Sequence, residues 1–164
     1  MEEVEVQIGD CNPEDLSEIK EIEDGSFDHP YPSSMFKDLL QNSNGFRVAR
    51  FGRRIVGYYV MSPSGYERIV IVSLAVHRDF RRMGIGEKLV MDSIALCKNR
   101  FSAARKIELQ VSVKNRAAQN LYLKCGFRKI GIIQNYYENG DDATLMSIEV
   151  PHDSWKSLES SDGR

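Results

Sequence analysis

Residues 81–88 read "RRMGIGEK": two arginines, then glycines at 84 and 86 around one isoleucine, then a charged run that favours helix. Just upstream, "YERIVIVSLAVHRDF" (66–80) has the β-branched density of a long buried strand. Just downstream, Leu89, Val90, Ile94 and Leu96 recur at helical spacing from Ile85 to about Asn99. Strand, glycine turn and helix therefore follow one another. At such a helix start, unpaired backbone N–H groups converge and the helix dipole adds positive potential, which makes an anion site. Arg81 and Arg82 add fixed charge and forked donors. A diphosphate suits this turn, although the same glycines would also serve a merely tight connection. A nucleotide-hydrolysing loop needs Lys-Ser/Thr after its last glycine, and here Glu87 and Lys88 follow. A dinucleotide fold needs a third glycine, where this chain has Met91 and Asp92.

The flanking sequence extends the pattern. "VEVQIG" (4–9) alternates as a strand, and "NPEDLSEIKEIEDGSF" opens with Asn12 as cap and Pro13 at the first helical position. After the break "HPYP", "SSMFKDLLQNSNG" reads as a second helix, and "FRVARFGRRIVGYYVMSPSG" as a hairpin turning at Gly52. "KIELQVSV" is a strand, "NRAAQNLYLKCGF" a helix capped by Asn115 and stopped by Gly126, and "RKIGIIQNYY" and "ATLMSIEV" two closing strands. The order β-α-α-β-β-β-α-β-α-β-β implies an α/β fold, a mixed central β-sheet with helices on both faces. Residues 1–150 are expected to form one domain, with 151–164 a loosely ordered tail.

The 164 residues suffice for one core, and 41% apolar with 28% charged residues is ordinary for a globular chain. The longest apolar run, Ile69 to Val76, is strand-sized and broken by Ser73. The acidic start lacks the features of a signal peptide. Cys11, Cys97 and Cys125 are odd in number and unrelated in spacing, so no disulfide framework, zinc site or other metal centre is expected. A cytoplasmic location without membrane attachment is the plain expectation. Residues 1–36 carry eleven acids against Lys20 alone, a charge of −10, while the remainder carries +8. That is either a solvated acidic helix or a fold with one anion-repelling side and one anion-attracting side. A pI near 6.0 and the lack of a basic-aromatic surface pattern argue against nucleic acid.

Arg81-x-x-Gly84-x-Gly86 resembles the pyrophosphate loop of the GCN5-related N-acetyltransferases (GNAT). "SLAV" (73–76) upstream and "NRAAQNLYLKCGF" (115–127) downstream are similar to two further motifs of that family, in the right order. "SFDHPYP" and "NYYENGDDATLM" narrow the resemblance to RimI-like and related archaeal and eukaryotic acetyltransferases of protein N-terminal α-amines. The resemblance implies a GNAT fold and acetyl-CoA as acetyl donor, without a metal. It implies that Leu74, Ala75 and Val76 splay from the strand at 106–113, leaving a gap in which the pantetheine arm pairs with exposed backbone. An N–H near Val76 would then stabilise the oxyanion of the tetrahedral intermediate. Arg81, Arg82, Met83, Gly84, Ile85, Gly86 and Glu87 would hold the pyrophosphate, and Asn115 would contact the cofactor while capping its helix. Tyr122, seven residues after Asn115, would contact the cofactor and protonate the departing thiolate.

The base is not carried over. Gln110 stands where relatives have a glutamate or histidine, and Val70 where some archaeal relatives have a histidine; neither titrates. Gln110 would orient a water, and Glu108, Asp28 and His29 remain candidate bases. His77 reads as a surface residue. Phe27, Asp28, His29, Tyr31, Tyr136 and Tyr137 match positions that line the peptide groove in relatives. A free α-amine, with pKa near 7.7–8.0, is roughly 10–20% neutral at pH 7, against under about 0.1% for lysine. This favours protein N-termini, on ribosomal proteins or nascent chains, over lysine side chains. An acetyltransferase for small amines and a non-catalytic acetyl-CoA-binding module are the competing readings. Oligomeric state, monomer or weak dimer, is not legible.

Overall fold

The structure is a computed structural model that describes residues 5–151. The expected tail, apart from Pro151, and the expected strand start at Val4 lie outside the described residues. The strands are β1 (Gln7–Asp10), β2 (Phe46–Phe51), β3 (Arg54–Pro63), β4 (Arg68–Val76), β5 (Lys106–Ser112), β6 (Arg128–Ile133) and β7 (Ala143–Glu149). The helices are α1 (Leu16–Ser26), α2 (Ser33–Asn42), α3 (Ile85–Arg100) and α4 (Arg116–Lys124). The order read from the sequence is thus the order found. Boundaries differ where local chemistry intervenes. Pro13–Asp15 forms a 3-10 turn before α1, in which the Asp15 carboxylate accepts the Asn12 N–H at 2.8 Å. Tyr136 and Tyr137 are not strand residues: β6 ends at Ile133, and Asn135 takes a positive φ of 52° that turns the chain away.

The seven strands form one sheet in the order β1-β2-β3-β4-β5-β7-β6. Only β4 and β5 are parallel, joined by the α3 crossover, and all other neighbours are antiparallel. On one face α3 and α4 bury Ile85, Leu89, Val90, Leu96 and Tyr122 against Ile69, Ile71, Ile107, Leu109 and Val111. On the other, α1 and α2 bury Ile19, Ile22 and Phe36 against Val48, Tyr58, Val60 and Ala75. Leu89 is wholly buried, and truncating such a side chain to alanine costs about 2–5 kcal/mol.

Two irregularities position the site. The register jumps from Val60↔Ser73 to Met61↔Ile71, so Val72 is an extra residue on β4. Because side chains alternate, this bulge re-aims everything after it. Ile69 and Ile71 join the α3-side core, whereas Ala75 joins the α1-side core and the Ser73 hydroxyl bonds to α1. The second irregularity is the parallel ladder itself, which joins only Arg68–Val70 to Lys106–Glu108. Beyond it, Ile71–Val76 and Leu109–Ser112 diverge with no ladder between them.

Candidate active site

The divergence leaves the backbone of Leu74, Ala75 and Val76 unladdered on the side facing β5, while Gly57–Tyr59 of β3 pairs with the other side. An extended chain-like ligand with its own amides can complete such an edge. The splay expected between Leu74–Val76 and the strand at 106–113 is therefore present, and it begins after Val70 and Glu108.

At the end of β4 the chain passes through His77 and the short 3-10 turn Arg78–Phe80 into the glycine loop. The His77 ring accepts the Asp79 N–H at 3.1 Å and meets Arg54, so it acts as a cap at the strand end. Arg82 (φ 64°) and Gly84 (φ 81°) are both left-handed, and α3 starts directly after. Left-handed turns of this kind aim successive N–H groups to one side. The N–H groups of Ile85, Gly86 and Glu87 precede the first intrahelical bond, Lys88 N–H to the Gly84 carbonyl at 3.1 Å. A Cβ at Gly84 would meet nothing within 4 Å, so this turn faces open space.

Gly86 has a different task. A Cβ there would lie 3.0 Å from Leu121 Cδ2 and 3.8 Å from Val76 Cγ2. Its missing side chain lets α4 pack against α3 and β4. The side chains of Arg81 and Glu87 are also engaged by neighbouring elements of the chain. The Arg81 guanidinium donates to the Val76 carbonyl and to Ser26 Oγ, both at 3.1 Å, strapping the loop to β4 and α1. Glu87 pairs with Lys124 at 2.9 Å, which turns its carboxylate toward α4. Arg82 and Met83 are exposed at the loop tip.

Asn115 caps α4, its Oδ1 accepting the Ala118 N–H at 3.1 Å. The buried Gln119, which the sequence reading passed over, donates to the Ser112 and Val113 carbonyls at 3.1 Å and accepts from Thr144 at 3.4 Å. It stitches α4 to the diverged half of β5, and so fixes Tyr122 three residues on. The Tyr122 ring packs edge-on to Phe127 at 5.3 Å, and no described protein group takes its hydroxyl. Burial, with Cys125 nearby, raises its pKa, so the phenol holds its proton across the neutral range.

Of the candidate bases, Glu108 is buried and paired with Arg68 and Lys106, each at 3.2 Å. Two cations thus compensate its charge at the closed end of the splay. Gln110 is half-buried in the diverged part of β5, opposite Leu145 of β7. Asp28 and His29 are exposed in the α1–α2 loop.

That loop meets the β6–β7 turn. The Tyr136 and Tyr137 rings are edge-on at 4.9 Å. Burial, with Tyr136 and Tyr31 beside it, pushes the Tyr137 phenol up to about 12. Burial, then Tyr136 and Glu23, likewise raise Tyr31. Lys114 and Asp141 pair at 2.9 Å, with Asp28 in the field of the first and His29 in that of the second. The structure thus gathers Tyr31, Tyr136 and Tyr137 into one cluster, while Phe27 packs partly buried on the α1-side core.

Like Gln119, a second buried polar residue escaped the sequence reading. Glu23 is 1% exposed and takes hydrogen bonds from Tyr58, Ser73 and the Tyr31 N–H. Its spacing held the signal: it lies four residues after Ile19 and beside Ile22, on the core-facing stripe of α1.

Among the described residues no cluster of side chains could hold a metal ion, and no helix is long and apolar enough to cross a membrane. The chain is 30% identical over 158 residues to an N-alpha-acetyltransferase of Sulfurisphaera tokodaii, covering 89% of this chain and 94% of that protein. Among solved structures, Ard1 from Thermoplasma volcanium superposes with a TM-score of 0.84 at 28% identity, over 90% of this chain and 99% of that one. The ribosomal-protein-S18-alanine N-acetyltransferase from Escherichia coli shares the fold, with a TM-score of 0.77 at 22% identity, over 89% and 94% of the two chains. The pattern of the acetyltransferase (GNAT) family matches residues 16–127, so with the splayed sheet and glycine turn in place, this chain belongs to that family.

Proposed function

We propose that this protein transfers the acetyl group of acetyl-CoA to the N-terminal α-amine of protein chains, by direct attack while both substrates are bound. The observation that carries this reading is the divergence of β4 from β5 beyond Val70 and Glu108, on the strand that leads into the left-handed glycine turn. Acetyl-CoA supplies an activated acyl group on a thiol leaving group. The fit rests on the open, left-handed Gly84 and on the N–H groups of Ile85, Gly86 and Glu87, which suit a pyrophosphate. The unladdered edge at Leu74–Val76 suits the amides of a pantetheine arm. A backbone N–H near Val76 stabilises the developing oxyanion. Tyr122 donates its proton to the leaving sulfur.

The acceptor enters between the α1–α2 loop and the β6–β7 turn, where Tyr31, Tyr136 and Tyr137 present hydroxyls to peptide backbone. Asp28, Glu138 and the acidic α1 give this side a negative bias that draws a cationic N-terminus. The names of the Sulfurisphaera and Escherichia proteins support α-amine chemistry and, for the second, a ribosomal-protein acceptor. We assign ribosomal or nascent chains as the acceptor class and the cytoplasm, where the three thiols stay reduced, as the site of action. Coenzyme A release should be followed with peptides varied in their first two residues, with N-acetylated forms as controls. Turnover confined to free N-termini supports the proposal; turnover on polyamines alone overturns it, and cofactor binding without turnover makes the chain a binding module.

A further inference from the structure

An N-terminus arrives mostly as an ammonium, and attack needs its lone pair. Val70 and Gln110 cannot take the proton, and two cations hold Glu108. Glu23 is differently placed. Its Oε2 accepts the Ser73 hydroxyl at 2.9 Å and the Tyr58 hydroxyl, and its Oε1 accepts the Tyr31 N–H at 3.2 Å. Ser73 and Tyr58 also meet each other at 3.0 Å. No lysine or arginine is among these partners. A carboxylate taken out of water is costly unless a cation compensates it, and an incoming ammonium is such a cation.

We propose that the Glu23 carboxylate is the proton sink for the acceptor's ammonium group, reached through the Ser73 hydroxyl. This rests on the acetyl-transfer reading above. Ser73 directly precedes Leu74 on the diverged half of β4, and the Val72 bulge turns it toward α1. Tyr31, which Glu23 holds by its N–H, belongs to the tyrosine cluster at the acceptor side. Glu23 therefore lies beneath the seam where the acceptor loop meets the reacting strand. The groups facing it are Tyr58 from β3, Ser73 from β4 and Tyr31 from the loop, with Tyr136 beyond Tyr31 and Tyr122 of α4 beyond Tyr58. On α1 itself Lys20 and Asp24 pair with each other, and Arg81 approaches the same helix end through Ser26.

Ser73 Oγ takes a proton from the ammonium as its own passes to Glu23 Oε2. The nitrogen lone pair forms the C–N bond, the C–S bond breaks, and the sulfur takes the Tyr122 proton. The nitrogen's second surplus proton restores Tyr122, and Glu23 releases its proton to solvent after the product leaves. One proton is released per turnover.

Glu23→Gln preserves size and an acceptor for Tyr31 but cannot take a proton. Its kcat/KM for a free N-terminal peptide should then follow the neutral amine fraction. The loss should be about 5–10-fold at pH 7, roughly 50–100-fold at pH 6 and nearly nil at pH 9, with acetyl-CoA affinity unchanged. Ser73→Ala, a smaller change that decides the matter if Glu23→Gln does not fold, should show the same pH-dependent loss. A loss equal at every pH, or no loss at pH 6, would overturn the relay. A parallel arm with a small primary amine separates the two claims. Wild-type turnover on the amine alone refutes the peptide assignment, and the variants' pH dependence on that amine then confirms or overturns the relay. Wild-type protein inert on both acceptors overturns both.

Discussion

Replacing Tyr122 with phenylalanine removes one oxygen, and the structure sets what that should do. The hydroxyl is bonded to no described protein group, while the ring's contacts, including the edge-on packing with Phe127 at 5.3 Å, remain. No hydrogen bond is lost and no cavity larger than the oxygen opens, so the stability change should stay below about 0.5 kcal/mol. At this chain length that is at most about 2 °C in Tm. Catalysis should respond far more strongly. A lost general acid costs on the order of 10²-fold, equivalent to roughly 2.7 kcal/mol of barrier. Because burial raises the phenol's pKa, wild-type kcat should show no fall from loss of this acid between pH 6 and 9. The assay is continuous coenzyme A release with a free N-terminal peptide, beside acetyl-CoA titration by calorimetry. Tyr122→Phe should bind acetyl-CoA within about twofold of wild type and lose kcat. Full kcat in the folded variant would refute the acid role and leave the sulfur to be protonated by water.

The two loop glycines should separate. Gly84→Ala forces a side chain into a left-handed position, a strain of about 1–2 kcal/mol, and should weaken acetyl-CoA binding by roughly tenfold in the same titration. Gly86→Ala should bind normally, since the one tight contact of its Cβ is with the movable end of Leu121, at 3.0 Å, and Val76 stays at ordinary contact distance. Gly86→Val should lower Tm by displacing α4. Burial pushes the Asp15 carboxyl up, but the Arg50 guanidinium, at 3.0 Å, and the Asn12 N–H more than offset it, leaving the pKa below its usual value. That stabilisation is present above pH about 4 and lost as pH falls through the folded-state pKa. Asp15→Asn should therefore cost on the order of 1 kcal/mol at pH 7, with the gap to wild type closing in acid denaturation melts. Gln110→Ala should reduce kcat less than tenfold, because its side chain holds no proton to transfer; a larger loss would make it more than a water-orienting group.

The element order was legible because each element is a local pattern: Ile19 and Ile22 at helical spacing, alternation in "KIELQVS", a glycine at the hairpin turn. The glycine loop was legible as an anion site because its chemistry is carried by the backbone. What the chain could not disclose is pairing across distance. Gly84 and Gly86 look alike in sequence, yet only Gly84 has a positive φ, and Gly86 is read correctly only once Leu121 of α4 is seen against it. Arg81 reads as a phosphate hand because its partners, Val76 and Ser26, come from two other elements. Tyr136 and Tyr137 continue an alternating run and read as strand, until the positive φ at Asn135 ends it. Glu23 was hidden among ten other acids of the first 36 residues. Only the bulge at Val72, which no local propensity signals, brings Ser73 to it.

The most direct test of α-amine transfer compares two peptides of one sequence at pH 7, one with a free N-terminus and an acetylated internal lysine, the other with a blocked N-terminus and a free lysine. The α-ammonium is more acidic than the lysine ammonium by about 2.4–2.7 pKa units, so its proton leaves more than about 100-fold more readily, whether to water or to the Ser73–Glu23 relay. Coenzyme A release should therefore be at least about 100-fold faster with the first peptide. Mass spectrometry should place the acetyl group on its N-terminal nitrogen. Equal rates, or an acetyl group found on lysine, would contradict the account.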